Sequence, residues 1–126
     1  MSALPLLSVE EANARFGEYQ DLLEVAIAED RLHSMTLPYA QLAIAKGVLR
    51  VLYDGQSVAT FAMVDGVAHV VHGAGELGPL QATLPAIEAQ AKAQGVHKVR
   101  LFGRPGWSRQ LPDYNVLGTL LEKTLG

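Results

Sequence analysis

Two hydrophobic periods divide the chain. Early on, Val9, Ala12, Phe16, Tyr19, Leu23 and Ala26 recur at spacings of three and four. That spacing places them on one face of a helix over roughly residues 9 to 30, which Gly17 can soften or divide. Ser8, with Glu11 three residues on, has the capping-box pattern that starts such a helix. Thr36-Leu37-Pro38 opens a second helix, capped by Thr36, with Pro38 tolerated in the first turn and Gly47 as the stop after Lys46. From Val48 the period falls to two. Val48 to Tyr53, Ser57 to Val64 and Val67 to His72 read as strands joined by Asp54-Gly55 and Asp65-Gly66, pairs that favour tight hairpins. In the middle strand Val58, Thr60, Ala62 and Val64 alternate with Ser57, Ala59, Phe61 and Met63. Both sets are largely apolar, so this strand belongs inside a sheet covered on two sides.

A glycine-rich loop, residues 73 to 78, follows. The next helix carries Leu84, Ile87 and Ala91 on one stripe and ends at Gly95. Its firm start is expected at Thr83, because an earlier start would put Pro85 inside the helix, and Thr83-Leu84-Pro85 repeats the opening of the second helix. Val96 to Phe102 is a mostly apolar strand carrying Lys98 and Arg100, ended by Gly103-Arg104-Pro105-Gly106. Trp107 and Leu111 then share one helical face. Tyr114 to Leu125, with Val116, Leu117, Leu120, Leu121 and Leu125, reads as a strand or a short helix. No linker, repeat or low-complexity stretch interrupts residues 1–126, so one domain is expected. The element order implies an antiparallel meander, then a crossover helix into a parallel pairing. The expected class is α+β, a three-layer α/β/α arrangement around a mixed, mostly antiparallel sheet.

Composition narrows the function. A chain of 126 residues can bury a core without staples, and the absence of cysteine removes disulfides, thiolate nucleophiles and Cys-ligated zinc. A net charge of -3 and a pI near 5.7 argue against a general nucleic-acid binder. No apolar run approaches the roughly 20 residues that span a bilayer. The first residues carry no basic charge ahead of their apolar stretch and meet Glu10-Glu11 at once, unlike a signal peptide. The expectation is a soluble intracellular protein without nucleic-acid or membrane partners.

Several residues could carry chemistry. Gly73, Gly75 and Gly78 fit Gly-x-Gly-x-x-Gly, but a dinucleotide site would follow the first strand of a βαβ unit, with an acid about 20 residues on. Here the pattern follows a hairpin, and no carboxylate lies near Lys98. A plain loop is the first reading and an anion-binding loop the second. His69 and His72 are three apart on a strand and so point to opposite faces, which argues against a shared metal. His33 and His97 have no ligand-like neighbours, so all four histidines read as surface or edge residues and no metal is expected. Glu10, Glu11, Glu18, Asp21, Glu24, Glu29 and Asp30 read as a solvated face, with a patch for a basic partner as the lesser alternative. Arg104, Trp107 and Arg109 form the best cluster. As structure, the Trp plugs the sheet end. As function, Trp and Arg are the types most enriched at the energetic centres of interfaces.

Two hairpins, a glycine loop, a helix ending Ala-Gln-Gly-Val, a strand and a helical turn resemble the GCN5-related N-acetyltransferases over roughly residues 38 to 125. More narrowly, Val99-Arg100-Leu101-Phe102-Gly103-Arg104-Pro105-Gly106-Trp107-Ser108-Arg109-Gln110-Leu111, then Tyr114 and Leu121-Glu122-Lys123-Thr124-Leu125, resembles the ending of phage-encoded members. The resemblance implies acetyl-CoA as cofactor if the chain is an enzyme, its pyrophosphate on consecutive N–H groups at a helix N-terminus, and Tyr114 as the acid. Two departures stand out. Glu76 brings negative charge, and Pro79 removes a donor, where the family has Gln or Arg ahead of glycines; the family's first strand also looks missing. The leading expectation is therefore a non-catalytic, phage-type acetyltransferase-like protein without a cofactor. It would serve virion assembly or structure through contacts with virion proteins or copies of itself, as an oligomer, in the host cytoplasm or the virion. The alternatives are an acetyl-CoA-dependent N-acetyltransferase and a small-anion binding module.

Overall fold

Ser8 starts the first helix as its spacing predicts: its hydroxyl oxygen accepts the Glu11 N–H at 3.1 Å. In the computed structural model, which describes residues 4–29, 35–75, 77–102, 115–117 and 120–125, the long first helix is broken in two. Helix α1 (Val9–Ala14) ends where Arg15 leaves helical geometry at φ -99°, ψ 8°, and α2 (Phe16–Glu29) resumes at once, so the break lies two residues ahead of Gly17. The apolar stripe survives it, because Ala12, Phe16, Tyr19, Leu23 and Ala26 are all buried. Helix α3 (Leu37–Ala45) is capped by Thr36 and closes at Lys46, with Gly47 at φ +74°.

Strands β1 (Arg50–Tyr53), β2 (Val58–Val64) and β3 (Val67–Ala74) form the expected antiparallel meander. In the first turn Asp54 Oδ1 accepts the N–H groups of Gln56 and Ser57, both at 2.8 Å. In the second, Asp65 (φ 51°) and Gly66 (φ 75°) both take the positive angles that a two-residue hairpin demands. Helix α4 (Leu77–Ala93) then crosses to β4 (Lys98–Phe102), which runs parallel to β3. The last segment resolves as strands, β5 (Asn115–Leu117) and β6 (Leu120–Thr124), with β6 inserted beside β4. The sheet order is β1-β2-β3-β4-β6-β5. One core joins Ala59, Phe61, Ala68, Val99 and Leu101 to Leu84, Ile87 and Ala91 of α4. The other joins Val51, Tyr53, Val58 and Ala62 to the buried stripes of α1, α2 and α3. The middle strand β2 thus feeds both cores, and the three-layer α/β/α arrangement stands.

Two expectations need correction. Helix α4 starts at Leu77, not Thr83, and carries Pro85 in its interior. The proline is on the exposed face, while Leu84, Ile87 and Ala91 hold the helix to the sheet. Thr83 is buried and is no cap: its Oγ1 accepts the Leu4 N–H at 2.9 Å. The missing first strand exists as a stub. Leu7 N–H donates to the Val51 carbonyl at 2.9 Å, Tyr53 N–H donates to that of Pro5 at 3.0 Å, and Leu6 bridges Leu52. No helix among the described residues is long and apolar enough to cross a membrane.

Candidate functional site: the parting of two parallel strands

The parallel pairing of β3 with β4 begins at Val67–Lys98 and ends at Val70–Leu101. Beyond it β3 continues through Ala74. At the same point the register of β2 with β3 slips: Phe61 faces Val70 but Thr60 faces His72, leaving Val71 as an extra residue. Such a bulge bends its strand and sharpens the local twist. Among the described residues the β3–β4 ladder thus stops at the bulge, one residue before β4 itself ends at Phe102, and β3 runs on to Ala74 and through Gly75 toward α4.

The glycine-rich stretch is not one loop. Gly73 belongs to β3, Gly78 lies in the first turn of α4, and only Gly75 and Glu76 separate strand from helix. Gly75 takes φ +115°, and a Cβ there would lie 2.6 Å from Ser57 Cβ and 2.7 Å from Ser57 Cα. No other residue fits that approach. At Gly73 an added Cβ would meet Leu80 at 3.7 Å, an ordinary contact. The N-terminus of α4 has no acid in its first turn, and Leu77 and Gly78 bring N–H groups there, while Pro79 withholds one. A helix N-terminus at the end of a parted strand suits an anion with an extended tail. These residues fit acetyl-CoA in the strand edge and in the helix end, less one donor at Pro79.

The bulge also overturns the expectation for the histidines. Directly opposed residues share a face of the sheet. His69 faces Ala62 and His72 faces Thr60, and Thr60 and Ala62 are alternate residues of β2. His69 and His72 therefore share the face covered by α1, α2 and α3, because the extra Val71 converts an odd spacing into an even one. Neither is a surface residue. His72 is 3% exposed, with Nδ1 2.7 Å from Thr60 Oγ1, which also accepts the His72 main-chain N–H at 3.1 Å. His69 is half-buried beside its register partner Arg100. Its pKa lies below the ordinary imidazole value, chiefly through burial and then through Arg100, with Asp65 pulling upward. His97 is exposed. Among the described residues no group of three His, Asp or Glu could hold a metal.

Glu10, Glu11, Glu18, Asp21 and Glu24 are exposed, as a solvated face requires. Arg104, Trp107, Arg109, Tyr114, His33 and Asp30 lie outside the described residues. Sequence reasoning passed over Thr60 and Ser57, taking them as polar members of an apolar strand. A fully buried Thr between Ala59 and Phe61 is the one signal that could have marked the first.

No protein-family model and no curated protein sequence matches the chain. Among solved structures, the chain is similar to an aminoglycoside 6'-acetyltransferase type Ii at TM-score 0.69 and 9% identity, covering 96% of both chains. It is similar to a putative N-acetyltransferase from Lactobacillus plantarum at TM-score 0.64 and 18% identity, covering 99% of this chain and 100% of the other. A GNAT family acetyltransferase from Brucella melitensis in complex with acetyl-CoA matches at TM-score 0.62 and 14% identity, covering 90% of this chain and 83% of that one. At such identities the likeness concerns the path of the backbone. The chain has the GNAT-like, acyl-CoA N-acyltransferase fold.

Proposed function

We propose that the chain binds acetyl-CoA between β3 and β4 and transfers the acetyl group to an amine. One observation carries the reading: the parallel pair stops at Val70–Leu101 while β3 runs on through a bulge toward the N-terminus of a 17-residue helix. This outweighs the non-catalytic expectation, which rested on the poor glycine motif, on a first strand that is present in part, and on the phage-like ending, most of which lies outside the described residues. That a neighbour of the same fold is solved with acetyl-CoA supports it further.

Acetyl-CoA would supply an acetyl group already activated as a thioester. The main chain of residues 71–74 would lie along its extended arm as a strand edge does, and the N–H groups of Leu77 and Gly78 would face its phosphates. Burial and then Arg100 favour the neutral imidazole of His69, one residue before the last β3–β4 pair, and that ring is the base we assign to take the proton an amine must lose. Tyr114 keeps the acid role that the family resemblance assigns it. Calorimetric titration with acetyl-CoA, followed by an assay for free thiol with a panel of amines, tests the reading. Binding in the micromolar range with amine-dependent thiol release is expected. No heat at millimolar ligand would overturn it and return the phage-type assembly reading, with protein contacts at Arg104, Trp107 and Arg109, to the test.

A further inference from the structure

The buried polar pair at the bulge is the least expected feature of this sheet. Thr60 is fully buried at the centre of β2, between two apolar cores, where a Val would bury as much apolar surface with no hydroxyl to satisfy. Its hydroxyl oxygen has two bonds, and both go to one residue. The main-chain N–H of His72 reaches it at 3.1 Å and His72 Nδ1 lies 2.7 Å away. A hydroxyl has two lone pairs and one proton, so Oγ1 serves both contacts whichever ring nitrogen carries the hydrogen. His72 is also the first residue back in register after the unmatched Val71.

From this placement we infer that Thr60 is the lock of the β3 bulge: its hydroxyl takes up the main chain where the ladder slips, pins the His72 ring, and so holds β3 away from β4. Thr60 is then a positioning residue for the gap in which the proposed function places acetyl-CoA, and the inference rests on that reading for its consequence. The physical ground is that an extra residue leaves the ladder locally disrupted and must be held by other groups if one geometry is to persist. A hydroxyl on the neighbouring strand, with two lone pairs and one proton, can serve both the displaced main-chain N–H and the ring beside it. Were the lock absent, β3 could slide by one residue, and every side chain from position 72 onward would exchange faces. His72 would then move to the core beneath α4, and Ala74 would leave the helical core it now packs in.

The test compares Thr60→Val, which keeps the shape and removes the hydroxyl, with Thr60→Ser, which restores it. Two readouts are taken on the full chain: amide hydrogen exchange at residues 70–74, without ligand, and affinity for acetyl-CoA by calorimetry. Thr60→Val should speed exchange of the His72 amide and weaken acetyl-CoA about tenfold, the worth of one hydrogen bond, while Thr60→Ser stays near wild type. Unchanged exchange and unchanged affinity in Thr60→Val would overturn the inference. So would a Thr60→Ser protein that behaves as Thr60→Val does, since packing and not the hydroxyl would then be at work. Should Thr60→Val fail to fold, Thr60→Ser with a wild-type His72 exchange rate supports the lock and a faster rate overturns it. If wild-type protein does not bind acetyl-CoA, the functional reading fails, and the exchange measurement still decides whether Thr60 holds the bulge.

Discussion

Gly75 shows how a single position can be closed to every other residue. Its φ of +115° alone would strain an L-residue, and Ser57 stands where a Cβ would go, with backbone atoms included. Gly75→Ala should therefore cost about 2–5 kcal/mol, the sum of backbone strain and overpacking, read as a lower urea midpoint at unchanged slope. Gly66, at φ +75° with open space where its Cβ would sit, separates the two terms: Gly66→Ala should cost only about 1–2 kcal/mol. Equal losses at both sites would mean that the approach to Ser57 contributes nothing. His69 makes the second prediction at this scale. Because its folded pKa is depressed, the unfolded chain takes up the proton first as pH falls through the ordinary value of 6.5. Stability is thus fully present above that value and declines below it until the folded ring also protonates. Melting followed from about pH 8 to about pH 5 should show this decline, and His69→Gln should flatten it. A wild-type melting temperature that rises on acidification through that window would contradict the assignment. Neither residue could be read in full from the chain, since a glycine looks the same in open loop and in contact, and the burial of His69 depends on what covers it.

At the scale of elements, sequence period proved a good guide to existence and a poor one to ends and phase. The Ser8 and Thr36 caps, the two-residue Asp65-Gly66 turn and the doubly apolar β2 were legible because each is a local preference that the fold does not oppose, whereas Asp54-Gly55 opened a longer turn over residues 54–57. The start of α4 was not. Pro85 argues against helix by local rules, but the apolar stripe of Leu84, Ile87 and Ala91 buries enough surface against the sheet to outweigh it. Pro85→Ala should accordingly stabilise the protein by about 2–3 kcal/mol, the helix-propensity gain less the freedom returned to the unfolded chain. A lower melting temperature in that variant would mean the proline is needed where it stands. The phase of β3 was the other loss. Strict alternation puts His69 and His72 on opposite faces, and only the pairing with β2 reveals the extra Val71 that unites them. A bulge leaves no fixed mark in composition, so the candidate site, which depends on it, was visible in the sequence only as a glycine pattern a few residues too late.

Across the whole molecule, one sheet separates two cores, and the N-terminal segment at its edge reaches both. Leu4 is buried on the α4 side and Leu7 on the side of the other helices, 2% and 3% exposed. Between them Leu6 bridges β1, and the Leu4 N–H is held by Thr83 Oγ1. A sheet that insulates its two faces should make distant core substitutions additive, whereas a strap that crosses between them should not. Ile87→Val in one core and Ile44→Val in the other should each cost about 0.5–1.5 kcal/mol, and the pair should equal their sum within about 0.5 kcal/mol. Leu4→Ala and Leu7→Ala should each cost about 2–5 kcal/mol. Their double variant should cost less than the sum, because releasing either leucine frees the segment and with it much of what the other contributes. Thr83→Val, which leaves the buried Leu4 N–H without its acceptor, should weaken the fold by about 1–3 kcal/mol and should couple to Leu4→Ala in the same sense. Urea unfolding of the singles and doubles measures all these terms together. Strict additivity of the two leucines would show that residues 4–7 are held piece by piece, and the edge of β1 would then owe its cover to two independent contacts instead of one continuous strap.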